Sequence, residues 1–244
     1  MLYVMAAFTL VGMGYVGWLW YQSRQAEFIR YPEFRIPIPA GYEIHGIDIS
    51  HHQGRIAWTA VKAMQVQDIQ LSFAFMKATE GITRTDPFFK RNWQRSKEAG
   101  LIRGAYHFYL VNRDAAKQAN NFVRTVNLER GDLPPVLDVE QTGGRSSATI
   151  RKGVGEWLRL VEAHYGIKPI IYTNADFYTQ HLKGHFDDYP LWVAHYLQPH
   201  QPRIKRDWQF WQHSEKGRVN GIYTHVDFNV FNGSKEQFAA LLVP

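Results

Sequence analysis

The sequence predicts an α/β barrel, and three observations carry that expectation. Eight short apolar runs, bounded by turn residues, recur between residues 44 and 230. Helical patterns lie between the earlier runs, and alternation of strand and helix implies a parallel sheet, which eight strands can close into a barrel. Nearly every run also ends in residues too polar for a core, as strands do at the working end of a barrel. The chain of 244 residues suits one domain of this kind.

Taken in order, residues 2–21 contain no charged side chain and are rich in Leu, Val, Met, Gly and aromatics. About 20 apolar residues suffice to cross a bilayer. Trp18, Trp20 and Tyr21 crowd one end, as an interfacial belt would. A transmembrane helix over residues 1–21 is expected. A cleaved signal sequence is the alternative, although neither a charged leader region nor a small-x-small cleavage site is evident. Arg24 and Arg30, which follow the span, run against an external domain by the positive-inside rule. Residues 22–43 carry Pro32, Pro37 and Pro39 and read as an extended linker. The domain proper is expected over 44–244, with strands at 44–50, 71–77, 104–109, 135–140, 169–173, 191–196, 208–212 and 225–230. Asp86-Pro87 predicts a helix start that runs to Gly100. Asp114 and Ser147 are expected to cap two more helices, the second ending at Gly166. The last three strands have shorter connections than the first five.

Composition narrows the chemistry. Hydrophobic residues make up 45% and charged residues 20%, which supports a packed core and excludes a disordered chain. With no Cys there is no disulfide, thiolate nucleophile or Cys-based zinc site. The net charge of +6 favours an anionic partner. The basic residues form no run and are interleaved with acids, so an anionic polysaccharide is the better candidate and nucleic acid is not expected. Aromatics at 15% serve a core and also suit stacking on sugar rings. Neither a G-x-S-x-G elbow nor a phosphate loop is present. His51 and His52 are adjacent, and on a strand they would face opposite ways; without an H-x-H or H-E-x-x-H pattern no metal or other cofactor is expected.

The run Leu133-Pro-Pro-Val-Leu-Asp-Val-Glu-Gln141 reads as a buried strand ending in Asp138 and Glu140, which share one face because side chains alternate. Desolvated carboxylates repel each other and shift their pKa values, and such pairs serve glycosidic bond hydrolysis. Alone, the pair reads first as a helix cap and a partner for Arg145. The other strand ends weigh against that. They deliver Asp48, Ser50, His51 and His52; Lys77 and Glu80; Tyr106 and His107; Tyr172 and Asn174; Trp192 and Tyr196; Gln212; and Asp227. Asp48, Asp138 and Asp227 would face Glu140 across the barrel mouth, and charges so close push at least one pKa upward.

In order along the chain, Gly46-Ile-Asp-Ile-Ser-His-His-Gln53, Phe73-Ala-Phe-Met-Lys-Ala-Thr-Glu-Gly81, Ala105-Tyr-His-Phe-Tyr109, Pro135-Val-Leu-Asp-Val-Glu140, Ile170-Ile-Tyr-Thr-Asn174, Leu191-Trp-Val-Ala-His-Tyr196, Trp211-Gln212 and Val226-Asp-Phe-Asn229 resemble the glycoside hydrolase family 25 lysozymes. The resemblance covers about 44–232 and leaves out the N-terminal span and linker. It implies a modified TIM-like barrel of five β/α units followed by three further strands. It also implies cleavage of the β-1,4 bond between N-acetylmuramic acid and N-acetylglucosamine in peptidoglycan, outside the cytoplasm. By motif, Glu140 would be the general acid and Asp138 would stabilise positive charge or orient the substrate's 2-acetamido group. Asp48 and Asp227 would complete the catalytic cluster. Tyr106, Tyr172, Trp192, Tyr196 and Gln212 would be substrate-binding residues. Lys77 and Glu80 fit the motif and fit a structural ion pair equally. A non-catalytic wall-binding barrel and a metal-dependent polysaccharide hydrolase or deacetylase are the alternatives.

Overall fold

A computed structural model describes residue 15, residues 28–198 and residues 201–244. The expected membrane span therefore lies outside the described residues except for Tyr15, as does the linker up to residue 27. Among the described residues no helix is long and apolar enough to cross a membrane.

From residue 28 the described chain forms a hairpin of β1 (Phe28–Tyr31) and β2 (Ile36–Pro39). Within the linker expected over 22–43, this corrects residues 28–39. The prolines of β2 suggested open chain, yet an edge strand tolerates residues that lack an N–H. Ile36 and Ile38 are buried while Pro37 between them is exposed.

All eight expected barrel strands form. They are β3 (His45–Ile49), β5 (Ile69–Glu80), β7 (Ile102–Phe108), β8 (Val136–Asp138), β9 (Ile170–Asn174), β10 (Leu191–Ala194), β11 (Phe210–Gly217) and β12 (Val226–Phe231). Two short strands, β4 (Gln65–Val66) and β6 (Arg84–Thr85), pair with β5. From β3 to β11 each barrel strand runs parallel to the next. The closing strand β12 is antiparallel to both β11 and β3. The turn from β11 to β12 is too short for the crossover that a parallel pair needs, so the last of the three further strands reverses direction.

The helices are α1 (Trp58–Ala63), α2 (Phe89–Glu98), α3 (Ala115–Thr125), α4 (Ser147–Tyr165) and α5 (Ala175–Phe177), the last continued by a π-helical turn at Tyr178–Leu182. They follow the first five barrel strands, giving five β/α units and three further strands. Asp114 caps α3 by accepting the Lys117 N–H. The cap of α4 is Ser146, one residue before the expected Ser147, and its helix ends at Gly166 as expected. Asp86 acts one turn ahead of α2, accepting the N–H groups of Phe88 and His51 at 2.9 and 2.7 Å.

Alternation along the strands splits the core in two. Outward residues such as Ile47, Met76, Leu137, Ile171 and Val193 pack beneath the helices. The later strands lack a helical layer, and the N-terminal hairpin helps to cover them: Phe34 lies 5.2 Å from the ring of Phe228, and Phe28 lies 5.9 Å from that of Trp211. Inward residues form a second cluster that includes Phe73, Phe75, Val136, Trp192 and Phe210. Gly46 and Gly104 make room for these rings, since a Cβ at either would lie within about 2.5 Å of Phe73 or Phe75. A final helix, α6 (Lys235–Leu241), inserts Phe238 against Phe73, Phe210 and Phe231 and closes the barrel floor.

Candidate active site

At the C-terminal ends of the parallel strands the barrel opens into a cavity of about 450 Å³. The nine residues that the resemblance assigned to catalysis and substrate binding all line it: Asp48, Asp138, Glu140, Asp227, Tyr106, Tyr172, Trp192, Tyr196 and Gln212. The local reason is the strand alternation that also builds the floor. Two residues beyond Gly46, Val136, Ile170 and Phe210, the same inward face carries Asp48, Asp138, Tyr172 and Gln212.

A hydrogen-bond network fixes the side opposite Glu140. Gln212 Nε2 and Asn229 Nδ2 both donate to Asp48 Oδ2, at 2.7 and 2.8 Å. The hydroxyls of Tyr172 and Tyr196 donate to Gln212 Oε1, and the Trp192 indole N–H donates to Asn229 Oδ1 at 2.8 Å. Trp192 is also stacked on Phe75 at 4.3 Å and is almost fully buried, so it shapes the cavity wall with little surface left to offer a ligand. Asn229 was not singled out in the sequence. Its signal was the i, i+2 spacing from Asp227 on a strand.

The four carboxyls are all held above their ordinary range. Burial is the main cause at each. Asp227 is pushed up to about 9, by burial and then by the charge and hydrogen bond of Asp48. Asp48, whose three hydrogen bonds favour the charged form, rises only to about 6. The two face each other across the β12–β3 pair, where the charge of Asp48 opposes ionisation of Asp227. Asp138 is driven well above the usual range by burial and then by Glu140, while the Lys77 ammonium opposes the rise. Its Oδ1 has no hydrogen-bond partner within the protein. Glu140 is raised by burial and then by Asp48, again against Lys77. It is less buried than Asp138 and borders the open part of the cavity.

Other strand-end residues go elsewhere. His107 points out of the barrel, bonded to Thr79 and Gln118 and stacked near Trp157, and burial lowers its pKa to about 4. Asn174 caps α5. His51 and His52 lie in a turn and not on a strand, with ring centroids 4.0 Å apart, which corrects the expectation of opposite faces. Lys77 does both things the sequence allowed: it pairs with Glu80 at 2.7 Å and lines the cavity. Ser50, His52, Phe108 and Glu215 complete the lining.

A barrel whose mouth gathers four carboxyls of raised pKa around an open cavity is the framework of a glycosidase. The chain belongs to the glycosyl hydrolases family 25, whose model matches residues 47–222. It is 51% identical over 209 residues to the uncharacterized protein YegX of Escherichia coli K12, covering 86% of this chain and 77% of that one. With Lysozyme M1 of Streptomyces globisporus it shares 36% identity over 213 residues, covering 81% and 71%. Among solved structures it is similar to a family 25 glycosyl hydrolase from Bacillus anthracis, with a TM-score of 0.76 at 30% identity over 83% of this chain and 95% of that one. The bacterial lysozyme of Streptomyces coelicolor gives a TM-score of 0.72 at 34% identity over 82% and 97%.

Proposed function

We propose that the chain is a muramidase that hydrolyses the β-1,4 bond between N-acetylmuramic acid and N-acetylglucosamine in peptidoglycan. The observation that carries this is the juxtaposition of Asp138 and Glu140 in one cavity, both raised, one deep and one at the opening. Glu140, protonated and accessible, gives its proton to the leaving glycosidic oxygen. Asp138, with an unpartnered oxygen inside the cavity, accepts the N–H of the substrate's 2-acetamido group and orients its carbonyl toward the anomeric carbon. The glycosidic C–O bond breaks as the acetamido oxygen bonds to the anomeric carbon; water then displaces that oxygen, its proton returning to Glu140, and a new reducing end is left on muramic acid. Asp48 and Asp227 hold the negative potential of the wall, while Tyr106 and Tyr196 line the space for the sugar. The place of action is outside the cytoplasm, and the apolar residues 2–21 serve as its membrane tether.

The test is digestion of purified peptidoglycan by the full chain, with reduced products read by mass spectrometry. Reducible muramic acid ends are expected, and Glu140→Gln should lower their rate of appearance by about 10²–10⁴. Unchanged lysis by that variant would remove Glu140 as the acid.

A further inference from the structure

A fifth acid faces the cavity. Glu215 lines it, although regular alternation along β11 would turn its side chain away. After Phe210 and Gln212, which point inward, an unbroken strand would present Ser214 and then Lys216. The pairing with β12 breaks that pattern twice. Gln212 stands opposite Asn229, Ser214 opposite Phe228 and Gly217 opposite Val226. His213 and Ser214 therefore share Phe228 as a partner, and Glu215 and Lys216 share Asp227.

Bulges of this kind re-aim side chains. After the first, Glu215 turns into the cavity, while Lys216 is exposed and does not line it. Gly217 pins the second. A Cβ there would lie 2.2 Å from the Phe228 ring and 3.1 Å from the Val226 carbonyl oxygen, so glycine lets the strand return this close to β12. On its other side Asp227 is in register with Asp48 of β3. Glu215, Asp227 and Asp48 thus form a row of carboxyls across three neighbouring strands.

The middle member is the least supported. Asp48 receives the amide donors of Gln212 and Asn229. Lys77 is bound to Glu80, and its field falls on Asp138 and Glu140. Asp227 is raised by burial first, then by Asp48, and then by the charges of Glu215 and Glu140. Among the described residues the Glu215 side chain has no ion pair and no hydrogen bond. A carboxylate set beside two others costs the fold stability, and here no contact offsets that cost. Its placement serves the site and not the scaffold.

We propose that Glu215 is a positioning residue of the reaction, acting through Asp227 so that Asp48 alone carries the charge of the inner wall. This rests on the muramidase reading and adds a residue to it. With Asp227 uncharged, Asp48 keeps its bonds from Gln212 and Asn229, and Gln212 in turn holds the hydroxyls of Tyr172 and Tyr196. A second charge on Asp227 would repel Asp48 and disturb that network.

The test follows Asp227 by NMR in the full chain, labelled with carbon-13 at the aspartate carboxyls. Its signal is assigned by its loss in Asp227→Asn. Glu215→Gln should lower the Asp227 midpoint by about half a pH unit, the size of one exposed like-charge contact. The ratio of kcat/KM on peptidoglycan, wild type over Glu215→Gln, should then grow about two-fold between pH 5 and pH 9. Glu215→Asp, which keeps the charge, should restore most of both effects. An unmoved Asp227 midpoint, or a loss of kcat/KM that is equal at every pH, would overturn the proposal. A shifted midpoint in a wild type that cleaves nothing would instead bring down the muramidase reading.

Discussion

The floor and the mouth of this barrel are built from the same strands, and a step of two residues separates them. On β11 the floor has Phe210 and the mouth Gln212; on β8 the step runs from Val136 to Asp138. Below, Phe73, Phe210, Phe231 and Phe238 meet at centroid distances of 5.0 to 6.3 Å. Above, four carboxyls share one cavity and none keeps its ordinary pKa. One layer gains free energy from burial, and the next loses it to desolvation and like-charge repulsion. The difference teaches that the mouth is held by the floor: strands whose inward tips repel each other stay closed because their bases are packed.

That contrast can be broken at either layer. Phe73→Ala should destabilise the fold by about 3–5 kcal/mol, as large cavities in cores do, while kcat per folded molecule stays near wild type. Denaturant unfolding together with a muramidase assay checks both halves, and a large loss of kcat with intact stability would contradict the division. Asp138→Asn should do the reverse. Its kcat is expected to fall by about 10²-fold, and its Tm to rise by about 2–4 °C for each kcal/mol of relieved repulsion. A lower Tm would show that Asp138 stabilises the mouth.

The smallest effect sharpens the electrostatic part. The folded pKa of Asp227 lies at about 9, above that of the unfolded chain, so the folded state binds the extra proton. Stability from this group is complete below the unfolded pKa and is lost as the pH rises toward 9. Wild-type Tm should therefore decline between pH 5 and pH 9, where Asp48 adds to the fall near its own value of about 6. Asp227→Asn keeps a hydrogen-bond donor without a titrating proton and should flatten that decline. Parallel curves for variant and wild type in a thermal scan would assign the pH dependence elsewhere.

Much of this was legible because it follows from alternation. Strand period located all eight barrel strands, and the family resemblance selected, among the polar strand ends, nine side chains that share one cavity. Features that depend on contacts between distant segments stayed hidden. The hairpin over residues 28–39 looked like linker because Pro37 and Pro39 signal open chain, and only the bare outer face of β11 and β12 explains why it packs. Asn229 looked like one more strand residue until Asp48 and Trp192 converged on it. The orientation of His107 was misjudged because a polar residue beside Tyr106 invites placement in the cavity, whereas alternation sends it outward to Gln118.

The seam between β3 and β12 has a consequence for the life of the molecule. Asp48 is contributed by the first barrel strand and Asp227 by the last, and each is part of the other's electrostatic environment. While the chain is still emerging from the ribosome, Asp48 has no Asn229 and no Asp227, and the barrel is an open sheet. The cavity and its four carboxyls are therefore complete only once β12 has joined β3.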